Sequence, residues 1–335
     1  MKSLARMVLA ILVSLMMPAA SSADGRLLDA VLKRDRNAVR QLLKNHVDVN
    51  AAQPDGSTAL MLAAERHDVE IADLLIRARA NVNAANEYGA TALSVACAGG
   101  NLALIRLLLD AHADPNAPIR SGETPLMTAV DNGNRDAASL LLYHGADVNA
   151  RETNGGQTAL MWAAANRSPD IVRLLVDHGA DPRARSKRGF TPLLFASQQG
   201  DVQSGRLLVQ AGGDVNDRSS TDRKTALMVA AASGNSAFSV FLLEKGADPD
   251  LSDAFGESPA KLRITLKNGQ TFEQRRDYAT GSQKVPMTPA QIEAKFADCA
   301  AQIMSAEAGR KVYAFLDTLP AQRSLDPLWP LLRKA

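Results

Sequence analysis

Short apolar runs alternate with polar connectors along most of this chain, and they recur at a nearly fixed interval. Thr58, Thr91, Thr124, Thr158, Thr191, Thr225 and Ser258 open near-copies of one short sequence: TALMLAA, TALSVAC, TPLMTAV, TALMWAA, TPLLFAS, TALMVAA and a decayed SPAKLR. The steps between them are 33, 33, 34, 33, 34 and 33 residues. In the unit from Gly56 to Tyr88, Ser57-Thr58 predicts a helix start, because a threonine hydroxyl can cap the free N–H groups of a first turn. Leu60, Leu62 and Ala63 fall on one face of that helix, and its alanines allow a neighbouring helix to approach closely. Val69, Ile71, Ala72 and Leu75 predict a second helix by their spacing. In other units Gly145, Gly179, Gly212 and Gly246 follow this second helix, where glycine closes a helix in the left-handed conformation.

A second pattern runs in phase with the first: Asp48-Val49-Asn50, Asn81-Val82-Asn83, Asp114-Pro115-Asn116, Asp147-Val148-Asn149, Asp181-Pro182, Asp214-Val215-Asn216 and Asp248-Pro249. These segments lead out of the helix pair into a loop and back to the next threonine. A period of this length marks stacked repeats. The apolar side chains of one unit cannot offset the backbone entropy lost on ordering it, so each unit needs contacts with its neighbours.

The repeated residues resemble the ankyrin-repeat family, whose pattern is G-x-T-P-L-H-x-A-A followed by L-L-x-x-G-A-D-V-N. The resemblance covers residues 24–260 and implies a mainly α solenoid: an N-terminal cap and six to seven helix-turn-helix repeats. The cap runs from Leu27 to Ala52, keeps Ala30, Leu42, Leu43 and Asp48-Val49-Asn50, and has Gly25 where the threonine belongs. Where the family has histidine after Thr-Pro-Leu, this chain has Met61, Ser94, Met127, Met161, Leu194 and Met228, so apolar packing is expected to replace that histidine's hydrogen bond.

Charge and cysteine content narrow the setting. Lys2 and Arg6 precede an apolar run from Met7 to Met17, and Pro18 to Ala23 are mostly small, which predicts a signal peptide over 1–23 cleaved after Ala23. The run is short for a membrane span. Export is therefore expected, to the periplasm in a Gram-negative source. Beyond residue 23 the chain has 36 basic and 36 acidic residues. Neutrality argues against a nucleic-acid or membrane-surface binder. The balance is uneven, with 12 basic and 8 acidic residues from Glu257 onward. Cys97 and Cys299 lie 202 positions apart. Cys97 occupies the position of Ala64, Ala164 and Ala231, which predicts a half-buried structural thiol.

Candidate chemistry is sparse. His46, His112, His144 and His178 come at the end of second helices, where a histidine meets the helix dipole and free carbonyls; His67 is the fifth. One histidine per repeat places them about 10 Å apart, the spacing of packed helices, too far to share a metal. Met61, Met127, Met161 and Met228 form a stripe that could suit Cu(I) but fits core packing better. No metalloenzyme His pair, phosphate-binding glycine loop or nucleophile elbow is present. No metal, cofactor or catalytic residue is expected.

The residues that vary on a fixed frame are the better candidates. By the ankyrin resemblance, loop tips and outer first-helix positions hold a protein partner. They include Glu87, Tyr88, Arg120, Asn154, Arg185, Lys187, Arg188, Asp222 and Arg223 on the tips, which also take in Glu152. On the first helices they are Glu65, Arg66, Asp131, Asn132, Asn166, Gln198 and Gln199. Both one-residue insertions fall in tips. Arg183, Arg185, Lys187 and Arg188, with Arg218, Arg223 and Lys224 one repeat later, predict a basic finger that could meet an anionic patch. A monomeric, non-enzymatic array with an unidentified protein partner is expected.

After Ser258-Pro259 the period dissolves into a small α+β module over 261–335. Ile264–Lys267, Asn268-Gly269 and Gln270–Tyr278 predict a hairpin with a type I′ turn. Thr288-Pro289 starts a helix lined by Ile292, Phe296, Cys299, Ala300 and Ile303, and a second runs from Ala306 to Leu319. The stretch from Ile264 to Ile303 resembles the C-terminal end of the 2-methylcitrate dehydratase (MmgE/PrpD) family, with Lys295 and Cys299 at matching positions. The helical domain carrying most of that family's active-site residues is absent. The tail therefore reads either as a cover for the last repeat or as a docking module of an accessory subunit or degenerate relative of such an enzyme.

Overall fold

The computed structural model describes residues 23–249, Leu251 and two strand segments at 260–265 and 271–276. They belong to two units that divide between Asp147 and Val148. The first contains α1 (Ala23–Leu32), α2 (Arg36–Lys44), α3 (Ala59–Glu65), α4 (Val69–Arg77), α5 (Ala92–Ala98), α6 (Leu102–Asp110), α7 (Pro125–Asp131) and α8 (Arg135–Tyr143). The second contains α9 (Ala159–Ala165), α10 (Pro169–Asp177), α11 (Pro192–Gln199), α12 (Val202–Gln210), α13 (Ala226–Ala232), α14 (Ser236–Glu244), β1 (Ala260–Thr265) and β2 (Thr271–Arg276). Within each unit the odd-numbered helices pack on one another in series, and so do the even-numbered ones.

The six threonines do what their spacing predicts. Thr58, Thr91, Thr124, Thr158, Thr191 and Thr225 are buried N-caps, each accepting the N–H three residues on at 3.2–3.4 Å. Each such cap contributes about 1 kcal/mol. The first helices are buried more completely than one face would be: every residue from Ala59 to Ala64 is buried. The reason is their position, with first helices on both sides in the stack and their own second helix behind. Met61, Met127, Met161 and Met228 are all in this core. The Cu(I) alternative has no support in their burial. At Ser94 the hydroxyl replaces the methionine packing with a reciprocal capping box on Thr91.

One detail of the leading unit differs from expectation. Gly25 lies inside α1, which starts at Ala23, so it is not a cap position. Only Val39 is buried on α2. Arg36 and Arg40 on its outer surface pair with Glu70 of α4. This polar face is what the end of a repeat stack requires.

Second helices end as predicted. Gly145 (φ 88°) and Gly179 (φ 84°) are left-handed, and His46, Arg79 and His112 take the same conformation in the repeats that lack glycine (φ 54°, 70° and 66°). His178 caps the end of α10 through Nδ1 to the Leu174 carbonyl at 2.8 Å.

The Asp-x-Asn segments form a ladder that the sequence pattern did not explain. In most units the first residue's side chain accepts the N–H two residues on, as Asp114 does from Asn116 at 2.8 Å. The asparagine then bridges to the next unit. Asn116 Oδ1 accepts the Asp147 N–H at 2.7 Å, and its Nδ2 donates to the Gly145 carbonyl at 3.0 Å. Asn83 (to Asp114 and His112), Asn149 (to Asp181 and Gly179) and Asn216 (to Asp248 and Gly246) repeat this pair of bonds. Arg183 interrupts the series: its Nε donates to the Gly212 carbonyl at 2.7 Å, but a guanidinium has no acceptor to offer the Asp214 N–H. Arg183→Asn is expected to restore the missing bond and stabilise the protein by about 1 kcal/mol. A urea midpoint that stays put or falls would show that the arginine packs better than the amide.

β1 and β2 pair antiparallel. The register, Ala260 with Arg276 through Thr265 with Thr271, is symmetric about position 268. A two-residue Asn268-Gly269 turn would centre the pairing on the bond between those residues, so the strands are not in that register. The turn, the two helices expected over 288–303 and 306–319, residues 1–22 of the expected signal peptide over 1–23, and Cys299 lie outside the described residues.

Candidate partner-binding surface

Between each ladder segment and the next threonine the chain folds into a small hairpin. Its backbone closes between Gln53 and Ser57, Asn86 and Ala90, Ile119 and Glu123, Glu152 and Gln157, Ser186 and Phe190, and Ser219 and Lys224. The fourth and sixth hold the inserted residue. One backbone bond then joins neighbouring tips within a unit: Glu87 to Asp55 at 2.9 Å, Arg120 to Tyr88 at 2.9 Å, Lys187 to Gly155 at 2.7 Å and Ser220 to Arg188 at 3.3 Å.

Side chains at the hairpin base brace the tips. Asn86 Oδ1 accepts the Tyr88 and Ala90 N–H groups. Glu152, expected on the surface as part of a tip, is buried; its carboxylate accepts the N–H groups of Asn154, Gly155 and Gln157 at 2.6–2.8 Å. The longer loop needs these extra acceptors, because its backbone N–H groups have no strand partner. In the other long tip, Ser219 accepts the Lys224 N–H and donates to Asp222. This hydroxyl, followed by Lys224, holds the Asp222 carboxyl below the usual carboxylate range.

In the first unit the expected residues divide by what they touch. Glu65, Glu87, Tyr88, Arg120 and Asp131 are exposed. Tyr88 is 44 % exposed, and the Glu87 carboxylate beside it raises its phenol pKa. Arg66 is half-buried, with its carbonyl accepting a bond from Arg34. Asn132 is exposed but committed: its Nδ2 donates to the Cys97 and Ala98 carbonyls at 3.2 Å, satisfying the end of α5.

In the second unit Asn154, Asn166, Arg188, Gln198 and Arg223 are exposed, and Gln199 and Asp222 are half-buried. The basic finger is not the free cluster the sequence suggests. Arg185 donates to the Arg218 carbonyl at 2.7 Å and pairs with Asp217. Lys187 Nζ donates to the Thr153 carbonyl. These cations are spent on loop carbonyls of adjacent repeats, which lie within reach because the tips are stacked. Arg188 and Arg223 remain as the outward cations of this cluster.

Two features escaped the sequence reading. Arg151, Arg185 and Arg218 recur in repeat phase, and Arg151 bonds the Arg185 carbonyl as Arg185 bonds that of Arg218; their 34- and 33-residue spacing was the available signal. Trp162 and Phe195 are half-buried on α9 and α11, at the first-helix position held elsewhere by Leu62, Val95, Thr128 and Val229. The Trp162 indole donates to Gln157 at 2.7 Å, which sets it against a finger base.

Cys97 is fully buried, not half-buried, since the next first helix closes over it; burial pushes its thiol up to about 12. Iodoacetamide at pH 8 is therefore expected to leave Cys97 unmodified in the folded protein and to label it in urea, because thiolate is the reactive form. Rapid native labelling at this position, read by peptide mass spectrometry, would contradict that packing. Among the described residues no group of three or more His, Cys, Asp or Glu side chains could hold a metal ion, and no helix is long and apolar enough to cross a membrane.

Family models describing ankyrin repeats (3 copies) match at residues 27–119, 114–186 and 179–253. A model of the MmgE/PrpD C-terminal domain matches residues 244–318. The human ASB11 ankyrin repeat domain superposes with a TM-score of 0.57 at 27% identity, covering 67% of this chain and 98% of that one. The ankyrin repeat domain of Bcl-3 gives 0.56 at 30% identity, covering 61% and 93%. Over 75 residues the chain is 39% identical to the Drosophila melanogaster ankyrin repeat and KH domain-containing protein mask and to mouse ankyrin repeat domain-containing protein 17. These stretches are 22% of this chain and only 2% and 3% of those proteins.

Proposed function

Because the chain belongs to the ankyrin-repeat family, with repeats matched over residues 27–253, we propose that it is an exported, non-catalytic scaffold holding a protein partner on its loop tips and outer first-helix positions. One observation carries this reading: the exposed positions change from repeat to repeat on a frame that does not. Glu65, Asp131 and Gln198 occupy equivalent first-helix positions, and Tyr88, Arg120 and Arg188 stand on the second, third and fifth tips. Tryptophan, tyrosine and arginine are the residues that most often dominate binding energy, which makes Trp162, Tyr88 and Arg188 the strongest anchors.

The cations that remain outward, Arg188 and Arg223, are the ones to reverse. Arg188→Glu with Arg223→Glu is expected to slow association about tenfold at low salt, with the difference shrinking as salt rises. Arg185→Glu should instead lower stability, because it breaks loop bonds. The measurement is affinity capture from the native exported fraction, followed by surface-plasmon kinetics on the protein recovered. If wild type and the double variant capture alike, or associate at equal rates at low salt, these tips are not the binding surface. Export itself rests on Lys2, Arg6, the apolar run to Met17 and the small residues before Ala23. N-terminal sequencing of the mature protein should begin at Asp24.

A second reading follows from the MmgE/PrpD C-terminal match at 244–318: an accessory subunit, or a degenerate relative, of a dehydratase-type enzyme. No catalytic role is assigned to Lys295 or Cys299. Hydro-lyase turnover of 2-methylcitrate by the pure chain, with no protein captured, would favour this reading over the scaffold.

A further inference from the structure

We propose that the open end of the last repeat, formed by Ala231 of α13 and Val240 of α14, is a docking site for the chain's own segment 288–303. Ala231 is exposed, whereas its counterparts Ala64, Cys97, Val130, Ala164 and Ser197 are all 0 % exposed. Each of those five is followed by another repeat. Among the described residues no further first helix follows α13.

Val240 makes the case specific. At its position the earlier repeats carry Asp73, Arg106, Ser139, Arg173 and Arg206, yet here a valine is 48 % exposed. This position leans onto the following repeat: the Arg206 guanidinium lies 5.2 Å from the centre of the Phe241 ring. An apolar side chain in place of an arginine fits a following element that is apolar rather than another repeat. Ala231 and Val240 thus offer small and branched apolar surface on the same end of the stack.

The segment 288–303 has the complementary pattern. Ile292, Phe296, Cys299 and Ile303 are spaced 4, 3 and 4 residues apart, which lines one face of a helix, and Thr288-Pro289 supplies its start. It begins 44 residues beyond Glu244, the last residue of α14. The connection carries β1 and β2, and joining the segment to the same chain holds it near the open end at roughly millimolar effective concentration. A separate partner would have to exceed that concentration to compete. The MmgE/PrpD-type match also begins at Glu244, so the tail sequence runs on directly from the helix it would cover.

Cys299 provides the test, because Cys97 is buried. In full-length mature protein carrying Val240→Cys, a short bismaleimide should join the introduced thiol to Cys299 within one chain, as read by peptide mass spectrometry of the monomer band. Val240→Arg in the otherwise native chain should lower hydrogen-exchange protection of 288–303 at least tenfold. Cross-links between two chains would assign the end face to a second copy and overturn the proposal. So would both thiols alkylating freely without a cross-link, or unchanged protection in Val240→Arg.

Discussion

Phe238→Ala is expected to destabilise the last repeat by about 3–5 kcal/mol. Phe238 is fully buried on α14, its ring edge-on to Phe241 at 5.6 Å and 80°. Both rings press on α12 at Gly205, where a methyl group would come within 2.6 Å of Phe238 Cζ. Truncating the ring leaves a hole that a glycine cannot fill. In a repeat stack stability is nearly a sum of local and nearest-neighbour terms, so the loss should appear as an early separate step in urea unfolding, followed by far-UV circular dichroism. Gly205→Ala alone should also destabilise, by overpacking. Combined with Phe238→Ala, the same methyl should recover part of the loss. Simple additivity of the two would mean that the contact between α12 and α14 does not set this stability.

Gly189→Ala is expected to cost about 3 kcal/mol. Gly189 has φ +74°, and a Cβ there would run into the backbone nitrogen of Ser220 in the next tip. A left-handed residue with a side chain costs about 1–2 kcal/mol, and relieving the backbone collision should add about 1–2 more. Moving a side chain cannot relieve that collision. Gly145→Ala is the control: its φ is +88° but nothing lies within 4 Å of the added carbon, so only the conformational cost remains. Equal thermal shifts for the two variants would show that contact between the tips is loose enough to yield.

The repeat frame was legible in the sequence because its causes are local. Thr158 caps a helix through an N–H three residues away, and Gly179 closes one through its own φ. Both leave a mark at a fixed position. Bonds between repeats leave a weaker mark. Asn116 was visible as a recurring letter, but its partners at Asp147 and Gly145 are set by stacking distance, which no single repeat contains. Arg185 misled for the same reason. Four cations within six residues look like a patch until the carbonyls of the next tip are brought alongside. Glu152 looked like a variable tip residue, yet a six-residue loop needs an internal acceptor and draws it in. Cys97 was placed at the right position but given too much solvent, since burial there depends on the neighbouring first helix.

The asparagine ladder and the inserted tips lie on different stretches of the same connector, and this separates two lengths. Repeat-to-repeat spacing is fixed by bonds such as Asn116 to Asp147 and Asn149 to Asp181. The extra residue at 152–157 and at 219–224 is absorbed beyond those bonds, inside a brace supplied by Glu152 or Ser219. A foreign peptide loop grafted between Glu152 and Gln157 should therefore project from the protein without altering the pitch of the repeats. These two tips are natural insertion points for giving the scaffold a new binding specificity.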